Sequence, residues 1–286
     1  MNGGFFVFTI HLKGVYVRME KVSFIGAGSM AEAIIAGLVN KRVIATQQIY
    51  VTNKENEERL EQLEQAYNIT GTTDKIKVVQ DADVIVIATK PYDVVDALND
   101  VKTYIKEDQL VISVVAGIST ELIENTLEKK APVIRTMPNT SAAIGYSATA
   151  ITKGKFATDT HLSITEKLFE AIGTVSIVKE EKMHIVTALS GSGPAYVYYL
   201  VEAMEAVARA EGLDETIAKD LITQTIIGAG NMLKETNEQA STLRENVTSP
   251  NGTTAAGLAT LRKYQFKEAI ENCIKNAKQR SIELGE

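Results

Sequence analysis

The chain has 286 residues, 45% of them hydrophobic and 23% charged, and a formal net charge of −6. Such a composition fits a globular protein with apolar mass enough for a core, and the length suggests two domains. The negative balance argues against nucleic acid as a main partner, because phosphate binding needs a basic surface.

The first stretch, MNGGFFVFTIHLKGVYVRM, has short apolar pieces broken by Gly and Lys. It is too interrupted for a transmembrane span, and it lacks the basic head and small-residue cleavage site of a secretory leader. We expect residues 1–18 to form an extension outside the fold, with the functional chain beginning near Met19.

Residues 22–31, VSFIGAGSMA, take a short apolar run directly into a glycine turn and then into a helical pattern carried by Ile34, Ile35 and Leu38. The spacing is G-x-G-x-x-A. Gly26 makes a tight turn, Gly28 allows backbone to approach a pyrophosphate, and Ala31 permits close helix–strand packing, while Ala27, Ser29 and Met30 complete the loop and the helix start. A plain tight turn is the alternative. Further strands are expected at IYVT (49–52), Lys77–Val79, VIVIA (84–88), LVISVVAG (110–117) and VIRTM (133–137), with helices over NEERLEQLEQAYN and PYDVVDALNDVKTYI. Continuous apolar strands alternating with helices predict a Rossmann-like, doubly wound parallel α/β sheet over residues 19–179.

Ligands in such sheets sit beyond the carboxyl ends of the strands. Those ends are Ala88-Thr89-Lys90-Pro91, Val115-Ala116-Gly117 and Met137-Pro138-Asn139-Thr140. Lys90 is either a ligand contact or a solvated strand end. After the second strand come Thr52, Asn53 and Lys54, with no acid at the strand tip. An acid there reads the ribose hydroxyls of NAD, whereas a cation suits the extra phosphate of NADP, so Lys54 favours NADPH with NADH as the weaker alternative. The competing reading makes Lys54 an ordinary surface lysine.

From Glu180 the alternation stops and helical patterns run to Leu284, predicting an all-helical dimerisation and substrate domain over residues 180–286. Its helices are apolar enough to bury surface against a second copy of the chain. Tyr196, Tyr198 and Tyr199 serve either core or interface. Ser190-Gly191-Ser192-Gly193-Pro194-Ala195-Tyr196 breaks the helical pattern, and a bare connection does not explain its two serines. The lone cysteine, Cys273, lies in a helical repeat and reads as a packed thiol; it excludes an internal disulfide and a cysteine zinc site and points to a reducing, cytoplasmic setting. His11, His161 and His184 have no metal-ligand spacing, so no metal is expected.

Taken together, GAGSMA, ATKP, RTMPNT, ALSGSGPAY and NVTSPNGTTAAGL, in this order, closely resemble pyrroline-5-carboxylate reductase, the last enzyme of proline biosynthesis. The resemblance spans roughly residues 20–284. It implies reduction of L-1-pyrroline-5-carboxylate to L-proline by a homodimer assembled into a decamer, each substrate site forming between one subunit's nucleotide domain and its neighbour's helical domain. By motif position, Gly26 to Ala31, Asn53, Lys54, Ala88, Thr89, Lys90, Ala116 and Asn246 resemble cofactor contacts, and Glu180, Thr253 and Thr254 resemble proline-site residues. Three positions depart from the pattern. Asn251 replaces a glycine, Ser141 replaces a proline after RTMPNT, and Lys75 stands where an asparagine is usual near the adenine ribose, adding a second cation for the phosphate.

The turn-to-helix start at TSPNGTT offers bare amides suited to a carboxylate, assigned to Gly252, Thr253 and Thr254. The Thr254 hydroxyl is the candidate for a hydrogen bond to the ring nitrogen. The alternative role for either threonine is an N-cap. Two other functions are compatible with the sequence: a related imine or hydroxyacid reductase, and a regulatory paralogue that keeps the fold without turnover.

Overall fold

The computed structural model describes residues 8–12 and 15–285. They divide into two compact units: one runs through Ser192 and includes the chain again from Ala277, and the other is Gly193–Asn276. The second boundary falls later than the Glu180 expected from the sequence, because the segment from Glu180 to Ser192 is held to the first unit by Arg135, Asn139 and Ser281.

The chain opens with a two-stranded antiparallel ribbon, β1 (Phe8–Leu12) and β2 (Val15–Met19), which shares no ladder with the main sheet. The expectation of an extension therefore meets paired strands at Phe8–Leu12 and Val15–Met19; residues 1–7, 13 and 14 lie outside the described residues. The buried side chain of Met19 joins the core next to β3 (Val22–Ile25).

The first unit is built on an eight-stranded sheet. Its strands are β3, β4 (Ile49–Thr52), β5 (Thr70–Gly71), β6 (Val84–Ile87), β7 (Leu110–Ser113), β8 (Val133–Met137), β9 (Ser147–Lys153) and β10 (Gly173–Ile177), in spatial order β10-β9-β8-β7-β6-β3-β4-β5. The pairs are parallel except β8 with β9, so the last two strands run against the other six. Side chains alternate between two cores, as a strand period of two requires: Phe24, Val84 and Val86 enter one, Ile25, Ile85 and Ile87 the other. One layer of helices contains α1 (Ser29–Asn40), α2 (Glu57–Tyr67) and α6 (Asp159–Phe169); the other contains α3 (Lys75–Val79), α4 (Val94–Val101) and α5 (Thr120–Leu127).

One expected strand is corrected. Lys77–Val79 is not a strand but part of the short helix α3. Asp74 caps it by accepting from Lys77 N at 3.1 Å, which outweighs the strand preference of Val78 and Val79. The third sheet position goes to Thr70–Gly71, which pairs with β4. Strands β9 and β10 were not singled out, since Ser147–Lys153 carries alternating hydroxyls and lacks the apolar run of the central strands.

After α7 (Met183–Val186) and a π-turn at Thr187–Gly191, the helical unit holds α8 (Gly193–Ala210), α9 (Glu215–Thr236), α10 (Ala240–Asn246) and α11 (Thr253–Lys263); α12 (Phe266–Glu283) ends in the first unit. The SGSGPAY break is thus the π-turn running into α8. Asp214 caps α9 through Thr216 N and Ile217 N. Among the described residues, Ala218 and Ile222 are the only buried hydrophobic side chains of the helical unit. Cys273 is half-buried. Met204, Val207, Leu213 and Leu221 line an open apolar groove between α8 and α9, with Val207 63% and Leu221 58% exposed. Helices of this apolarity bury that surface in a native protein, and within the helical unit no described element does so. No helix among the described residues is long and apolar enough to cross a membrane.

Covering Leu221 in two symmetric copies is worth about 1.5–3 kcal/mol per side chain. Leu221→Glu is therefore expected to raise the dimer dissociation constant on the order of 10²-fold or more, read by sedimentation over a dilution series. An unchanged association state would remove this face from the interface.

Candidate active site

The parallel sheet changes direction of winding between β3 and β6, and a cleft of about 550 Å³ opens there, beyond the strand ends. Ile25 N-terminal to the turn pairs with Thr52 and Ile87, so the three strands end in register. The ladder continues one step beyond, with Gly26 N donating to Thr52 O and Ala88 N to Ile25 O, both at 2.8 Å. Gly26 has φ +111°, and a Cβ there would lie 2.4 Å from Ala88 O. The fold itself demands this glycine.

Gly28 differs. Its φ of −76° suits any residue, and a Cβ would meet no protein atom within 4 Å. It is the N-cap of α1 and supplies no side chain to the amides of the first turn, which have no intrahelical acceptor. The space a Cβ would fill is thus a cradle in front of uncapped amides. Thr89 Oγ1, on the facing wall, is buried without a hydrogen-bond partner among the described residues. A small glycine, free amides, a positive helix end and an orphaned hydroxyl fit a dinucleotide pyrophosphate.

Of the cofactor residues expected from the sequence, Gly26, Ala27, Gly28, Ser29, Met30, Asn53, Lys54, Lys75, Ala88, Thr89 and Lys90 all line the cleft. Ala31 does not; it is fully buried against the sheet, as its packing role requires. Ala116, after β7, is half-buried and outside the lining. Asn53 shapes its own loop, accepting from Asn56 N at 2.9 Å and donating to Asn56 O at 2.6 Å. Lys54 makes no ion pair among the described residues, whereas Lys75 Nζ lies 2.5 Å from Asp100 Oδ2.

Some contributors were missed by sequence reasoning. Arg59 of α2 donates Nε to Ala27 O at 3.0 Å and pairs with Glu32, which also accepts from Tyr67 OH. It pins the glycine turn against α1. Asp93, Asp96 and Asp100 line the opposite wall, at helical spacing. Their i, i+3, i+7 pattern was present in the sequence, but its inward direction depends on which face of α4 the core takes. Thr140 and Ala143, after β8, close the cleft.

Glu180 has both carboxylate oxygens engaged in the first unit, with Arg135 Nη1 at 2.8 Å and Thr120 Oγ1 at 3.4 Å. Arg135 is buried, so Glu180 balances an interior charge while its own side chain stays partly exposed. His184 bonds Ser281 Oγ at 3.0 Å, and burial, aided by the Arg135 charge, pushes its pKa down.

In the helical unit, Ser249–Gly252 forms a tight turn in which Gly252 N donates to Ser249 O at 3.1 Å. Asn251 sits at φ +59°, the left-handed region that asparagine tolerates, so the turn keeps its geometry without the glycine usual there. Gly252 is the N-cap of α11 and offers no capping side chain. Thr253 and Thr254 are therefore the first residues of the helix proper; neither is the cap. Both are exposed, and among the described residues their hydroxyls have no hydrogen-bond partner. Asn246, at the end of α10, is exposed and within 3.4 Å of Glu238.

Comparison with known proteins agrees with this geometry. Residues 180–284 match the family model for pyrroline-5-carboxylate reductase dimerisation, and residues 21–117 match NADP oxidoreductase coenzyme F420-dependent. Pyrroline-5-carboxylate reductase 1 of Bacillus spizizenii is 47% identical over 267 residues, covering 93% of this chain and 90% of that one. The chain belongs to the pyrroline-5-carboxylate reductases. Solved relatives include the reductase of Coxiella burnetii, with TM-score 0.85 at 32% identity over 94% of this chain and 99% of that one. The pyrroline carboxylate reductase of Plasmodium falciparum, with NADP bound, has TM-score 0.86 at 28% identity over 94% and 100%. The helical unit of this reductase, which lacks a core of its own, is thus its dimerisation domain.

The contrast between the two glycines gives a direct test. Gly28→Val should fold with a near-native melting temperature and lose at least about tenfold in nucleotide affinity by fluorescence titration, since only the ligand needs that space. Gly26→Ala should destabilise the fold itself by about 3 kcal/mol or more. Equal nucleotide affinity for Gly28→Val and the native protein would argue against the cradle.

Proposed function

We propose that the protein reduces L-1-pyrroline-5-carboxylate to L-proline with NADPH, as the last step of proline biosynthesis in a reducing cytoplasm. The carrying observation is the turn before α11: uncapped amides behind Gly252, followed by two exposed hydroxyls without a hydrogen-bond partner among the described residues. An anionic five-membered imine has the two groups that this turn suits. The amides of Gly252, Thr253 and Thr254 take the carboxylate, helped by the helix dipole. The Thr254 hydroxyl bonds the ring nitrogen and orients it. Because that nitrogen takes its proton from water, no strong protein acid is needed, in keeping with the lack of a nearby histidine in the sequence.

When bound, the reduced nicotinamide supplies the hydride. The chain's task is to hold it: the Gly28 cradle and the first turn of α1 bind the pyrophosphate, Thr89 offers its hydroxyl, and Lys54 meets the 2′-phosphate. Lys90 completes the contacts that line this cleft. The preference for NADPH over NADH is supported by Lys54, which lines the cleft and has no ion pair among the described residues, by the NADP in the Plasmodium relative and by the family model over residues 21–117. Most of the acceleration then comes from placing two reactants together. For assembly, we propose a homodimer built into a decamer.

The test follows NADPH absorbance with pyrroline-5-carboxylate, a six-membered imine and a keto acid; a preference for the keto acid would overturn the substrate assignment. Thr254→Ala should lower kcat about 10²-fold while Thr254→Ser keeps most of it. Because Thr254 is not the cap, melting temperature should hardly move. Lys54→Ala should raise KM for NADPH and leave that for NADH, and equal loss for both would reject the phosphate role.

A further inference from the structure

Three lysines and three aspartates line the nucleotide cleft: Lys54, Lys75 and Lys90 against Asp93, Asp96 and Asp100. The cleft is therefore balanced in formal charge, and its attraction for a phosphate is set by which cation is left uncompensated. Lys54, at the end of β4, has no ion pair among the described residues. Lys75 is placed among acids. Its ammonium lies 2.5 Å from Asp100 Oδ2, the side chains being 27% and 52% exposed. Asp96 lies one helical turn from Asp100 and also lines the cleft, and Asp74, the residue before Lys75, caps α3.

From this we infer that Asp100 is a specificity-determining residue: by holding Lys75 of α3 against α4, it withholds a second cation from the 2′-phosphate and limits how strongly the site prefers a phosphorylated nucleotide over an unphosphorylated one. The inference rests on the reading of this cleft as the NADPH site. Lys75 and Asp100 meet in a partly solvated place, so the pair is shallow enough to be exchanged for another anion once the carboxylate is gone. Asp100 acts through Lys75 and needs no contact with the ligand.

Binding of 2′-phospho-ADP-ribose and ADP-ribose to the full-length protein, measured by calorimetry at two salt concentrations, decides the matter without turnover. Asp100→Asn should tighten the phosphorylated ligand about three- to tenfold, leave ADP-ribose unchanged and steepen the salt dependence. In a Lys75→Gln background the same substitution should gain clearly less, and Lys75→Gln alone should cost the phosphorylated ligand little. No gain in Asp100→Asn, an equal gain for both ligands, an equal gain without Lys75, or a large loss from Lys75→Gln alone would each overturn the inference. A native protein that binds ADP-ribose more tightly would remove the NADPH reading, while the shift of the ratio in Asp100→Asn would still judge Asp100.

Discussion

Two helix starts organise the chemistry. α1 and α11 each begin behind a glycine with extended backbone and no capping side chain. Helices α2, α3, α5 and α9, by contrast, are capped by Asn56, Asp74, Ser119 and Asp214. A glycine in place of Ser, Asp or Asn at the cap costs only a few tenths of a kcal/mol, about 0.3, and it leaves amides and a partial positive charge without a side-chain acceptor. In the proposed function these two starts hold the anions, a pyrophosphate at α1 and a carboxylate at α11; the missing cap alone does not mark them, since α4 and α10 also begin without one. The rest of the structure serves these two points.

At α1 the service is visible. The sheet brings the ends of β3, β4 and β6 into register, so that the glycine turn, the Asn53–Lys54 loop and the Ala88–Thr89 wall surround one space. Arg59 then fixes the turn from outside by binding Ala27 O and Glu32. The helix end alone would give a weak anion site. Strand register and a buried hydroxyl turn it into a shaped one, with electrostatics supplied by lysines whose pairing differs from one to the next.

Much of this was readable from the residues. The apolar runs at Val22–Ile25, Val84–Ile87 and Leu110–Ser113 are buried on both faces, and their order identifies the switch point where a ligand sits. The short-range signals GAGSMA and SPNGTT carry much of their own geometry, since Gly28 and Asn251 act within their own turns, whereas Gly26 is required by Ala88 on a neighbouring strand end. Long-range contacts carry no such signature. Arg59 reaches Ala27 across 32 positions and Glu180 reaches Arg135 across 45. Lys77–Val79 was misread because its valines favour a strand while one aspartate three residues earlier caps a helix. The Lys75–Asp100 pair was likewise out of sight, so Lys75 looked like a free cation.

The open groove between α8 and α9 has a consequence for how much working enzyme a cell obtains. A helical unit with almost no interior of its own completes its folding when chains meet, so stability depends on protomer abundance. Output then climbs faster than linearly with synthesis at low expression, and dilution acts as a brake that requires no effector.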